Sequence, residues 1–263
     1  MNDVARQFAN VLAAIFQIYA SYTVGSAVGD IAQEYRSAIL PATYAFAIWG
    51  PIFILCAVYA LYQALPAQRE NPVFRAIGWW TVGAFLMNGA WSYAFTNRQF
   101  ILAQAIIVAG FVCAGGSYFR FGRAVPAARA TNIDNWFIGP TLGLLFGWLT
   151  AASVVGLAGT LIASGFPARG QGAEIRDATL LVLGGAVACF VIFTSRRGPY
   201  GAWVSFGAAV LWALVAVAIE QRSISTITTA TAAITAISVM VAAAGRWGTP
   251  TRPPGRTASA AQS

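Results

Sequence analysis

The sequence predicts an all-α protein, a polytopic membrane helix bundle of eight transmembrane helices, and three observations lead there. Hydrophobic residues make up 58% of the 263-residue chain and charged residues only 9%, whereas about a quarter of a soluble globule is charged. Eight runs of roughly twenty residues, the length an α-helix needs to cross a bilayer's apolar core, contain no Asp, Glu, Lys or Arg. The connections between them are short and leave no room for a soluble domain. In hydrocarbon each backbone N–H and C=O has to be paired within its own segment, so helices are the solution the composition requires.

The expected spans are 7–28, 43–65, 76–97, 99–119, 136–162, 178–195, 199–219 and 223–245. The first follows Arg6 and carries Asn10 and Gln17; its end is rich in small residues around Gly25, Ala27 and Gly29. A cleaved signal peptide over 1–29 is the competing reading, but the run exceeds the usual apolar region of about 7–15 residues and is interrupted by two polar side chains. The second begins after Pro41 and contains Pro51, and the fifth contains Pro140. Each proline removes one backbone hydrogen bond and favours a kink. The third ends at the tight turn Asn97–Arg98, where the fourth begins. In the fifth, Gly139, Gly143 and Gly147 recur every four residues, with Ala152 and Gly156 continuing the face. Such faces let helix backbones approach closely, either inside one chain or across a homodimer seam. The Thr- and Ala-rich eighth span reads the same way. The chain thus divides into a five-helix bundle over 1–164, three additional helices over 165–248 and a tail over 249–263. The tail, rich in Pro, Arg, Ser and Ala, has a disordered composition.

Sorting charge by side explains the net +8 without nucleic acid. The side of the N-terminus holds Arg6, Arg69, Arg75, Arg120, Arg123, Arg129, Arg196, Arg197, Arg246, Arg252 and Arg256, with only Asp3, Glu70 and Asp134. The opposite side holds Arg36, Arg98, Arg169, Arg176 and Arg222 against Asp30, Glu34, Glu174, Asp177 and Glu220, which cancel. Arg-rich loops stay cytoplasmic, so both termini are expected inside. Trp79, Trp80, Tyr118, Trp136, Tyr200, Trp203 and Trp247 fall near the same helix ends, where amphipathic rings form an interfacial belt.

The chain has no histidine, which removes His-ligated haem, the usual His-containing zinc sites and a His general base. Cys56, Cys113 and Cys189 lie in three different spans with no metal-ligand spacing and read as small apolar residues. The interfacial carboxylates Asp30, Glu34, Asp134 and Asp177 stand in no catalytic spacing, so an enzyme is not expected.

Function would show in the intramembrane polar and aromatic residues. Phe46 and Trp49 lie three apart, on one helix face, and Asn88 and Trp91 repeat that spacing. Counted at about 1.5 Å per residue, all four fall within the outer leaflet. Tyr19, Tyr22 and Gln104 reach a similar depth. An amide in hydrocarbon needs a partner, so Asn88 must face protein, water or ligand. Rings and a lone amide at this spacing more often serve core packing than a ligand pocket.

The runs Pro41-Ala-Thr-Tyr-Ala-Phe46-Ala-Ile-Trp49, Met87-Asn88-Gly-Ala-Trp91-Ser-Tyr-Ala-Phe95 and Pro140-Thr-Leu-Gly-Leu-Leu-Phe-Gly-Trp148 resemble the translocator-protein (TspO/MBR) family, known in bacteria as tryptophan-rich sensory proteins. The resemblance covers about residues 8–162. It implies a five-helix bundle in a bacterial inner membrane that binds porphyrins, other tetrapyrroles or sterols in a pocket open toward the first loop. Phe46, Trp49, Asn88 and Trp91 would line that pocket, with residues 29–42 as its lid. The chain departs from the family in having Pro41-Ala42 where relatives have a double proline preceded by Trp, and in its three extra helices. The expected partners are therefore the lipid bilayer and a hydrophobic small molecule, with no cofactor required. An uncoupled transporter of small solutes and a structural subunit of a larger membrane complex are the alternative readings.

Overall fold

The computed structural model describes residues 3–247, so the tail expected to be disordered lies outside the described residues. Nine α-helices and no strand are found among them: α1 Asp3–Glu34, α2 Trp49–Ala64, α3 Pro72–Ile77, α4 Trp80–Thr96, α5 Phe100–Ala124, α6 Gly139–Ala163, α7 Gln171–Thr194, α8 Tyr200–Gln221 and α9 Thr226–Trp247. A 3₁₀ segment, Thr43–Ile48, runs directly into α2, and a π-helical turn, Asp134–Ile138, runs directly into α6.

Seven helices are long and apolar enough to cross a membrane: α1, the Thr43–Ala64 unit, α5, the Asp134–Ala163 unit, α7, α8 and α9. The span expected over 76–97 is instead broken at Gly78, whose φ of 62° ends α3. What remains, α4, has 17 residues, or about 25 Å, the short end of what spans a bilayer. It runs parallel to α1, and side-chain bonds step up the pair. Thr81 donates to Asn10 at 2.7 Å, Asn88 donates to Gln17 at 3.2 Å, and Thr23 and Tyr93 share a bond at 3.4 Å. That register sets α4 alongside α1, so the segment expected as the third span runs beside the first, although it is shorter than the seven.

Several helices outrun their expected ends. Arg6, Asp30 and Glu34 all belong to α1, and the first loop shrinks from the expected 29–42 to 35–42. Neither proline kinks a helix midway. Pro51 sits in the first turn of α2, just after the 3₁₀ segment, and Pro140 in the first turn of α6, just after the π turn. Proline's missing N–H is harmless in a first turn, and the change of helix type precedes it.

The α1 helix is polar on its inner face and apolar on its outer one. Arg6, Gln7, Asn10 and Gln17 are buried, while Phe8, Leu12, Ile15, Tyr19 and Tyr22 form an exposed stripe. Hydrocarbon rewards this inversion, because each polar group must find a partner inside the bundle. Arg6 donates to Gln63 Oε1 at 3.2 Å and to the Arg69 carbonyl at 3.1 Å, and Gln7 donates to the Gln63 carbonyl at 2.7 Å, tying α1 to the end of α2. Arg6, read from the sequence as a loop charge, is thus a buried tie.

The most extensive helix contact joins α6 to α8, and glycine makes it. A Cβ on Gly139 would lie 2.8 Å from the Ala202 nitrogen; one on Gly143 would fall on the Ala202 carbonyl oxygen, and one on Gly147 on that of Phe206. The small-residue face is used inside the chain. The aromatic belt is only partly a belt: Trp79 and Trp136 are exposed, whereas Tyr118 and Trp203 are core residues. The Trp247 side chain lies outside what is described.

Candidate functional site

Two adjoining hollows open at the end of the bundle where α1 finishes and α2 begins. The outer one, of about 490 Å³, lies between α1, the start of α2 and α4, and its lining includes Ser21, Gly25, Gly29, Asp30, Asn88 and Ser92. The inner one, of only about 70 Å³, is almost wholly apolar and reaches toward Ala151, Ala152, Val155 and Gly156 of α6. Phe46, Trp49 and Trp91 line both, so their rings form the partition between a larger, partly polar mouth and a small apolar chamber.

Each ring is held by another. Trp49 stacks on Phe53 with centroids 5.0 Å apart, and Trp91 on Phe95 at 5.1 Å. Trp148 of α6 meets Phe46 edge-on at 6.1 Å and Trp49 at 6.0 Å. Such offset and edge contacts contribute roughly 1 kcal/mol each beyond burial, enough to fix the rings without locking them. The small residues Ser21, Gly25 and Gly29, four apart along α1, leave the mouth open, and a Cβ on Gly25 or Gly29 would have no neighbour within 4 Å.

Of the residues singled out in the sequence, Phe46, Trp49, Asn88 and Trp91 come together at this hollow. Asn88 is 2% exposed and spends its N–H on Gln17, leaving its side chain on the wall of the mouth. Three others do not join it. Tyr19 and Tyr22 are 61% and 89% exposed, on the outward stripe of α1, because the helix rotation that buries Gln17 and Ala20 turns them away. Gln104 lines neither hollow; it donates to the Ser153 carbonyl at 3.1 Å and links α5 to α6.

Sequence reasoning missed Trp148 as a wall residue, although it stood in the third quoted run, and it missed Tyr35, Phe95 and Phe100. The signal available was the aromatic spacing Trp91–Phe95 on one face of α4. It also missed what holds the first loop. The Ala38 N–H donates to Asp177 Oδ2 of α7 at 2.8 Å, the Ala42 N–H to the Ala216 carbonyl of α8 at 3.3 Å, and Trp212 Nε1 of α8 to the Ala45 carbonyl at 2.9 Å. Arg36 pairs with Glu220. The additional helices therefore clamp the segment that covers the inner chamber, and Ala213 of α8 forms part of the chamber wall. At the far rim Arg98 makes two bonds of 2.7 Å to Glu34. The Glu34 carboxylate, helped by the Tyr35 hydroxyl, holds the Arg98 guanidinium above its ordinary range.

Fold and hollow together define an integral membrane protein, a polytopic helix bundle with an aromatic-walled cavity near one of its ends. The chain belongs to the TSPO-like protein family, whose profile matches residues 4–245. The match runs well past residue 162, so the three helices that a five-helix comparison leaves over lie within the family's pattern. No curated protein and no solved structure matches the chain.

Proposed function

We propose that the protein binds a flat, largely apolar small molecule, a tetrapyrrole or a sterol-like ligand, in the outer hollow. The observation that carries this reading is the shared wall of Phe46, Trp49 and Trp91 between a roomy mouth and a small apolar chamber. A volume of about 490 Å³ lies within the range of small-molecule sites, which combine apolar walls with a few polar groups. The inner chamber is too small for such a molecule, so the ligand would lie in the mouth against the rings, with Asn88 and Ser92 offering polar contacts. Binding rather than catalysis is the role we assign, since the hollow offers aromatic faces and amide groups and a single rim carboxylate, Asp30.

Titration of the purified protein with protoporphyrin IX is expected to quench Trp fluorescence saturably at micromolar concentration. Trp49→Ala and Trp91→Ala should each weaken binding about tenfold, and Trp79→Ala, at the other end of the bundle, should not. Unsaturable quenching, or equal affinity in all three variants, would refute the site. A sterol that competes with the porphyrin would broaden the ligand class.

The arginine bias supports insertion in a bacterial inner membrane with both termini cytoplasmic. An impermeant thiol reagent applied to intact cells should then label Gly172→Cys, in the first turn of α7, and spare Arg75→Cys, in α3. The reverse pattern would invert the topology.

A further inference from the structure

A further cavity lies at the opposite end of the bundle from the two aromatic hollows, between the C-terminal ends of α5 and α7 and the start of α8, with a volume of about 790 Å³. Its walls are of two kinds. Phe119 of α5 and Phe190 and Phe193 of α7 form an apolar side, and Arg123 and Arg197 stand at the rim. Phe190 and Phe193 are 64% and 60% exposed, on the last turns of a helix long and apolar enough to cross a membrane.

The two arginines are brought to this corner by a backbone contact. Gly122 and Gly198 approach so closely that a Cβ on Gly198 would lie 3.0 Å from the Gly122 Cα. Arg123 follows the first glycine and Arg197 precedes the second, so the contact sets both charges on one cavity. The described carboxylates of this end are engaged elsewhere: Asp3 pairs with Arg75 and Arg6, Glu70 with Arg75, and Asp134 accepts from the Thr131 hydroxyl and N–H. Two like charges at one cavity repel unless an anion lies between them.

We propose that this crevice binds an anionic phospholipid of the surrounding leaflet, its phosphate held by Arg123 and Arg197 and one acyl chain laid along Phe119, Phe190 and Phe193. The charge complement calls for a phosphate, and the exposed phenylalanine wall continuous with the crevice calls for a chain attached to it. Free phosphate would use the guanidiniums and leave that wall uncovered. Basic pockets between helices near the membrane surface are suited to anionic headgroups, and each arginine there contributes about fivefold in affinity.

The test is native mass spectrometry of the full-length protein in detergent with equal amounts of phosphatidylglycerol and phosphatidylcholine of the same acyl chains. The wild type should retain phosphatidylglycerol about tenfold or more in excess. The double variant Arg123→Gln, Arg197→Gln should retain the two lipids nearly equally. Arg69→Gln, an exposed charge on the α2–α3 connection, should keep the wild-type preference. Millimolar inorganic phosphate should leave bound phosphatidylglycerol in place. An unchanged preference in the double variant, an equal loss in Arg69→Gln, or displacement by inorganic phosphate would each overturn the proposal.

Discussion

Gly143→Ala should lower the melting temperature of the detergent-solubilised protein by about 10 °C, and Gly143→Leu should prevent recovery of a monodisperse species. The added methyl would fall on the Ala202 carbonyl oxygen and 3.0 Å from the Phe206 nitrogen. Both are backbone atoms of α8, so no side chain can rotate away and the two helices must separate along their whole contact. Overpacking typically costs 1–3 kcal/mol, and here Gly139 and Gly147 lose their close approach at the same time. A cost of about 3 kcal/mol corresponds to roughly 10 °C in a chain of this size. Gly172→Ala in α7 is the matched control, because a Cβ there meets nothing within 4 Å. Equal melting temperatures for the two alanine variants would show that α6 and α8 are not held by glycine contact.

Asp177→Ala should loosen the first loop far more than the visible ion pair beside it would suggest. The Asp177 carboxylate is fully buried; it accepts from the Ala38 N–H at 2.8 Å and from Arg176 Nε at 2.8 Å. A hydrogen bond to a charged group contributes about 1.5–3 kcal/mol, and its loss here also leaves a donor without a partner. Amide exchange at Ala38 and its neighbours should therefore accelerate about 10–100-fold. Glu220→Gln, which breaks the Arg36 pair at side chains about 30% exposed, should change exchange less than about fivefold. Unaltered exchange would mean that Trp212 and the Ala42–Ala216 backbone bond hold the loop by themselves.

These expectations rest on residues whose meaning was unevenly legible in the chain. Phe46, Trp49, Asn88 and Trp91 could be chosen because period and depth are local properties: two pairs three residues apart near one membrane face must lie at similar height. Which way a helix is turned is not local. Tyr19 and Tyr22 share that height and yet face outward, because the polar groups of α1 had to be satisfied by α2 and α4 and the rotation followed from them. Gln104 likewise found a backbone carbonyl across the α5–α6 contact before it could reach a cavity.

The sequence by itself determined the solvent, the class and nearly all of the crossings of this protein, since the free energy of moving a twenty-residue segment into lipid depends on the composition of that segment alone. It also determined that Gly139, Gly143 and Gly147 would serve a close helix contact. Only the tertiary structure decided that the partner is α8, that Arg6 is a buried tie rather than a loop charge, and that α7 and α8 clamp the first loop over the aromatic wall. Those outcomes depend on pairing between segments as much as 184 residues apart, as in Arg36 and Glu220, and no property of either segment alone specifies which partner it meets.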